Sequence, residues 1–356
     1  MIFIDHVIGD PLAKFTYHAF GFSDAAEIFV FLSGLTCGIA YTRALARHGL
    51  SDLIWLLAKR AGRIYFYYAS SSVAIILLVA GSIKYLTLQE SFGISADRPL
   101  HEMLTALCLI SSPPLSGILV LYILLTLFVI PPLLIASRRY LPLAFAASAM
   151  IWAGAQAFPD ALAPLTHRWY LNPFAWQLLF TIGMIIGMKW DSEHPILPAL
   201  SQRRWVILAA WAIVIGALLY KLLSSPSGLG VAWLRFEPST LADMKENLAP
   251  IRLLHFLSVA LLFAVYFHRD SALLRWPICA PVINTGVHSL EIFSLAVVLD
   301  SFVNVIVLTA SPSFVDRLLL DSIALLMLIL AATAFTYRRG RRSVSLYRAD
   351  SFRPTS

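Results

Sequence analysis

Long apolar runs broken by clusters of arginine constrain this chain more than any other feature. Several runs reach about 17–20 residues, the length that crosses a hydrocarbon core as an α-helix. They fall at 25–41, 64–83, 115–135, 141–158, 173–188, 205–220, 253–267, 290–308 and 318–335. Between them lie Arg43, Arg47, Lys59, Arg60 and Arg63, then Arg138 and Arg139, Arg203 and Arg204, Arg269 and Arg275, and Arg338, Arg339, Arg341 and Arg342. If each run crosses the membrane once, every arginine cluster lands on the same side, as the positive-inside rule requires of cytoplasmic loops.

Composition agrees. The chain is 59% hydrophobic and 13% charged, whereas soluble domains carry about a quarter charged residues. Its mean hydropathy is +0.77. The alternating segments of about ten residues expected of an outer-membrane barrel are absent. The net charge of +7 follows from the loop arginines, so nucleic acid is not an expected partner. Cys37, Cys108 and Cys279 are widely separated and give neither a disulfide framework nor a metal site.

The N-terminus is unusual. Met1–Asp5 reads MIFID, too short to span, and looks like the last turns of a helix that begins upstream. Gly9, Asp10 and Pro11 end it. The expected fold class is therefore all-α: a polytopic transmembrane bundle of nine complete spans plus a truncated first helix, ten in the natural chain. One domain covers 1–340, and a polar cytoplasmic tail covers 341–356. SDLIWLLAKR, from Ser51, reads as a short amphipathic helix at the interface, with the next span starting at Ile64. The polar stretch after Lys84 reads as an outer loop with one embedded helix over 102–110.

Candidate chemistry gathers around SDAAEIFVFLSG, from Ser23 to Gly34. Asp24 sits where an N-cap is favoured and also where a carboxylate could serve a site. Glu27 lies one turn deeper, and an acid at such a position is a functional candidate. His6, close by in sequence, titrates near neutrality and could act as a general base. Arg60 and Arg63 form R-x-x-R, either a topology anchor or a bidentate phosphate holder. Arg252 and His255 share a helix face, with Asn247 just before them. Gly183 and Gly187 form a G-x-x-x-G packing motif. Asp300 and Asp321 are intramembrane acids suited to an ion or proton path.

MIFIDHVIGDPLAKFTYHAFGFSDAAEIFVFLSG resembles the opening of the OpgC family, inner-membrane proteins of the wider membrane acyltransferase-3 superfamily. KRAGRIYFYY from Lys59, NPFAWQLLF from Asn172 and KENLAPIRLLHFLS from Lys245 carry the resemblance along the chain. It implies a multi-pass protein of the bacterial inner membrane with a cytoplasmic C-terminus. The implied reaction moves a succinyl or other acyl group from cytoplasmic acyl-CoA to hydroxyls of periplasmic glucans. Acyl-CoA is then a substrate rather than a bound cofactor, and membrane lipid and glucan are the partners.

In the superfamily's terms His6 matches the motif histidine, Glu27 the acid before the Ser-Gly, and Arg60 and Arg63 the R-x-x-R pair. With Asp24 or Glu27 orienting the histidine, the expected catalytic set is His6, Asp24 and Glu27. Arg60 and Arg63 would bind the donor, and Asn247, Arg252 and His255 would line the acceptor side. The chain departs from the family where the motif arginine would precede Met1, at Gly117–Tyr122 in place of D-I-L-P-L-Y, and at Gly286–Glu291 near G-R-Q-S-L-P. A transporter or flippase, and a degenerate acyltransferase-like protein, are the competing readings.

Overall fold

A computed structural model of the chain describes residues 2–81, 92–95, 98–136, 140–159, 169–192, 196–224, 244–267, 276 and 279–350. Among these residues every regular element is a helix. In chain order they are α1 (Ile2–His6), α2 (Ala25–Arg47), α3 (Ser51–Gly81), α4 (Pro99–Leu107), α5 (Gly117–Ala136), α6 (Leu141–Ala157), α7 (Pro173–Met188), α8 (Ile196–Ser201), α9 (Arg204–Ser224), α10 (Pro250–Tyr266), α11 (Cys279–Val287), α12 (Ser289–Ala310) and α13 (Phe314–Asp350). Six are long and apolar enough to cross a membrane: α2, α3, α5, α9, α12 and the Phe314–Arg338 part of α13. Helices α6, α7 and α10 are apolar but shorter.

Two boundaries differ from the sequence expectation. The turn between α2 and α3 is a kink at Gly49, whose φ of 83° a side chain would resist. After it, SDLIWLLAKR does not stop at the interface. It continues unbroken as the first third of α3, which shifts Arg60 from a helix end to a helix interior. At the other end of the chain, α13 continues to Asp350, through ten residues of the expected tail. Arg138, Arg139, Arg269 and Arg275 lie outside the described residues.

The bundle is centred on the pair α2 and α7. Gly34 and Gly38 of α2 face Gly183 and Gly187 of α7, so that backbone meets backbone. A Cβ on Gly34 would lie 2.2 Å from the Phe180 carbonyl oxygen, and one on Gly38 2.2 Å from that of Met184. Gly183 and Gly187 would strike the carbonyls of Phe31 and Leu35 at 2.3 and 2.2 Å. Lipid tails supply no hydrophobic drive between helices, so close packing of small residues is what brings them together. The G-x-x-x-G reading therefore holds, and Ser33-Gly34 is its second half. Around this pair lies the main core, with Val30, Tyr68, Trp176 and Phe180 all at most 1% exposed. Helix α5 joins it through Leu119–Leu121 and passes through one wide π-turn at Leu125–Val129.

A second, smaller core holds α1 against α12 and α13 through Phe3, Val7, Ala296, Val303 and Leu328. Asn304 on α12 locks the end of α1. Its Oδ1 accepts from the Ile8 N–H at 2.8 Å, and its Nδ2 donates to the His6 carbonyl at 3.1 Å and to Asp300 Oδ2 at 3.2 Å.

Candidate active site

Helix α2 begins with a reciprocal cap. Asp24 Oδ1 accepts from the Ala26 N–H at 2.8 Å, while Glu27 Oε2 accepts from the Asp24 N–H at 2.9 Å. This is a capping box built from two acids. The same two carboxylates also hold Arg252 of α10. Its Nε donates to Glu27 Oε1 at 2.7 Å, and its Nη2 to Asp24 Oδ2 at 3.0 Å. Lys245 Nζ completes the group, 2.8 Å from Asp24 Oδ2. The two readings of Asp24 are thus both true: it caps the helix and it belongs to a charged constellation. Two acids and two bases balance. Glu27 is 0% exposed and Arg252 9%, so neither could stay charged there without the other. Burial pushes the Asp24 carboxyl up, but the Lys245 ammonium and Arg252 guanidinium outweigh it and hold it well below the usual carboxylate range.

One turn further along α10, His255 points at the same helix start. Its Nδ1 lies 2.7 Å from Ser23 Oγ, and the Tyr17 hydroxyl bonds Ser23 Oγ from the other side. Burial pushes the Tyr17 hydroxyl up to about 12, against the smaller downward pull of its Ser23 bond. It therefore stays protonated at neutral pH. Ser23 Oγ thus lies between the phenol and the imidazole, bonded to both. Gly21 makes room for the ring, because a Cβ there would lie 2.2 Å from His255 Cε1.

His6 is half-buried at the end of α1. Its carbonyl is held by Asn304, and the strap that follows it runs to the capped end of α2. Its neighbour Asp5 accepts from the Thr16 hydroxyl, Thr16 leads into Tyr17, and Tyr17 reaches Ser23. His18, on the same 3-10 turn as Tyr17, feels both Asp5 and Asp24. The strap between α1 and α2 therefore gathers Asp5, Tyr17, His18, Ser23 and Asp24 at one end of the bundle.

Asn247 ties its segment to α6 and to the start of α7. Its Oδ1 accepts from Asn172 Nδ2 at 2.8 Å, and its carbonyl from Gln156 Nε2 at 2.6 Å. Trp176 Nε1 donates to the Lys245 and Glu246 carbonyls, and Trp152 Nε1 to that of Leu248. Leu248 is left-handed, with a φ of 46°. These bonds clamp 245–249, which sets Lys245 and Arg252 on Asp24.

Arg60 and Arg63 go separate ways. Arg63 is exposed, whereas Arg60 is half-buried and reaches α2, donating from Nη2 to Ser33 Oγ at 3.0 Å. Tyr41 lies beside the same guanidinium, and Tyr122 of α5 lies within its electrostatic reach.

Residue-by-residue reasoning missed Lys245, Ser23 and Tyr17. Lys245 opens the KENLAPIRLLHFLS segment, and a lysine just before an apolar helix reads as an interface anchor until its partner is seen. Ser23 and Tyr17 carry no signal of their own; only the fold brings α10 to them.

A bundle of apolar helices with a charged, hydrogen-bonded constellation at one end defines a helical membrane protein with a polar cluster at that end. The chain belongs to the OpgC protein family, whose model matches residues 1–340. No curated protein and no solved structure matches it. Family and membrane-helical character together point to a membrane acyltransferase.

Proposed function

We propose that this protein is an O-acyltransferase that passes a succinyl group from cytoplasmic succinyl-CoA to hydroxyls of a periplasmic glucan. The observation that carries the reading is the family match over 1–340 on a bundle that joins a polar constellation at one end to an arginine in its interior. The helices α6, α7 and α10 complete nine spans with the six long ones. The Arg43 end then faces the cytoplasm, the Asp24 end the periplasm, and the C-terminus the cytoplasm. The domain is 1–340.

A sugar hydroxyl is a weak nucleophile and needs a base. The His6 imidazole takes its proton as the hydroxyl oxygen bonds to the thioester carbon. The C–S bond then breaks, and the thiolate takes up a proton as CoA leaves. Asp24 and Glu27, fixed by Lys245 and Arg252, hold the α2 end and its field in place around the imidazole. His255 bonds the acceptor sugar through Nε2, and Arg252 sets the position of α10 beneath it. Arg63 and the loop after α2 meet the CoA phosphates, and the donor arm enters from that side.

The experiment is His6→Ala in cells at matched protein level, with the glucans examined by mass spectrometry. Loss of the anionic substituents is expected. Undiminished succinylation removes His6 from the mechanism. Labelled succinyl-CoA given to membranes separates this reading from transport, because only an acyltransferase places label on glucan. The transporter reading keeps one supporting observation, the wholly buried Asp321 of α13, whose carboxyl meets that of Asp10.

A further inference from the structure

Arg60 is anomalous. It bonds Ser33, which lies nine residues into α2 from Asp24 and ten from Arg43. At about 1.5 Å per residue it is about 13 Å from one end and 15 Å from the other. The Arg60 guanidinium therefore meets α2 about midway between its two charged ends, well away from the Arg43 end where the phosphates of a nucleotide would wait. No carboxylate lies within ion-pair distance of it among the described residues. Its Nε is buried and has no acceptor. The Tyr122 hydroxyl, within the same electrostatic neighbourhood, is also buried and bonds nothing. Native interiors rarely strand polar groups this way. An uncompensated guanidinium there is more costly still.

A vacant N–H on a cation and a vacant hydroxyl, within electrostatic reach of each other in an apolar bundle, are two donors without an acceptor. We infer that Arg60 and Tyr122, with Ser33 holding the guanidinium in place, form a site midway along α2 for an oxyanion of the acyl donor. Such an oxyanion has two sources on a donor of the proposed kind. One is the free carboxylate at the far end of a dicarboxylic acyl chain. The other is the thioester oxygen as it gains charge during attack, which two preorganised donors in a dry site would stabilise strongly. The identity of the ligand rests on the acyl-transfer reading; the vacancy of the two donors does not.

Two measurements test this on the intact protein in detergent and in native membranes. The variants are Tyr122→Phe, which deletes one unbonded oxygen and so spares the fold, and Arg60→Lys, which keeps the charge but loses the Nε donor. The first measurement is the melting temperature in sodium succinate against sodium chloride at equal ionic strength. The second is transfer of label from succinyl-CoA and from acetyl-CoA to glucan.

If the site reads the carboxylate, succinate raises the wild-type melting temperature and not that of the variants. Transfer from succinyl-CoA then falls while transfer from acetyl-CoA is kept. If it serves the thioester oxygen, transfer from both donors falls by about 10²-fold, the size seen when one such donor is removed. Variants that match wild type in succinate response and in transfer from both donors overturn the proposal. A wild type that transfers no label, yet loses its succinate response in both variants, sinks the acyl-transfer reading and leaves the site standing.

Discussion

Two arginines of this bundle face opposite circumstances. Arg252 arrives at the end of α2 and finds two carboxylates, with Lys245 to balance the second. Arg60 arrives in the middle of the same helix and finds the hydroxyls of Ser33 and Tyr41, with no carboxylate among the described residues. The first constellation is complete within the protein; its charges are spent on holding α10 to α2. The second is left open, and an open donor set is a place where something from outside can bind. Charge near a proposed site is thus not one kind of evidence. Satisfied charge builds the frame, and unsatisfied charge marks the vacancy within it.

Arg252→Met should break the closed half of this contrast and give the largest effect. It strands Glu27 and Asp24 without their shared partner, and removal of one member of a buried pair costs about 3–5 kcal/mol. Unfolding in detergent followed by tryptophan fluorescence reads it directly. A loss under about 1 kcal/mol would mean that the network is solvated rather than buried. Arg60→Met sharpens the other half. Replacing an uncompensated buried cation by an apolar chain of similar length should leave stability unchanged or raise it by about 1 kcal/mol or more, while transfer from the acyl donor is lost. A strongly destabilised Arg60→Met protein would show that Arg60 is structural after all.

The smallest effect is on acid tolerance. The Asp24 carboxyl is held below its ordinary value in the folded state, so it takes up protons more readily when unfolded. Its contribution to stability is fully present above about pH 3.9, the ordinary aspartate value. It is lost as pH falls through the lower folded value. The melting temperature of wild type should drop on that acid limb, and Asp24→Asn should flatten the drop. A variant whose acid limb parallels wild type would show that the Lys245 and Arg252 contacts do not persist in solution.

The sequence announced the helices well, because apolar length is a local property. Each of the nine expected runs is helical, and GxxxG at Gly183 already named the packing face of α7. Asp24, Glu27, Arg252 and His255 were all visible as unusual polar residues at helix starts. Their pairing was not, since Glu27 and Arg252 stand 225 positions apart and only the fold joins them. Asn247 looked like a site residue for the same reason that Lys245 did not: polarity beside an apolar run says nothing of direction. Arg60 was misplaced for a subtler cause. A charged residue in SDLIWLLAKR suggests a helix end at the water boundary, and only the continuous winding of α3 carries it inward.

The wide turn at Leu125–Val129 fixes the rotational phase of α5. The wide turn takes up one extra residue, so deleting one there restores regular winding with both halves still in phase, whereas deleting one from the regular winding just before it swings Gly117–Tyr122 by about 100° relative to Ile130–Ala136. Tyr122 would sweep away from Arg60, yet the hydropathy profile of the segment would hardly change. Among natural variants, a shortening of this helix by one position outside the wide turn would therefore leave a chain still apolar enough to insert while its phenol and Leu119–Leu121 face the wrong way. Such an indel would pass unnoticed in any comparison that scores residue type without counting register.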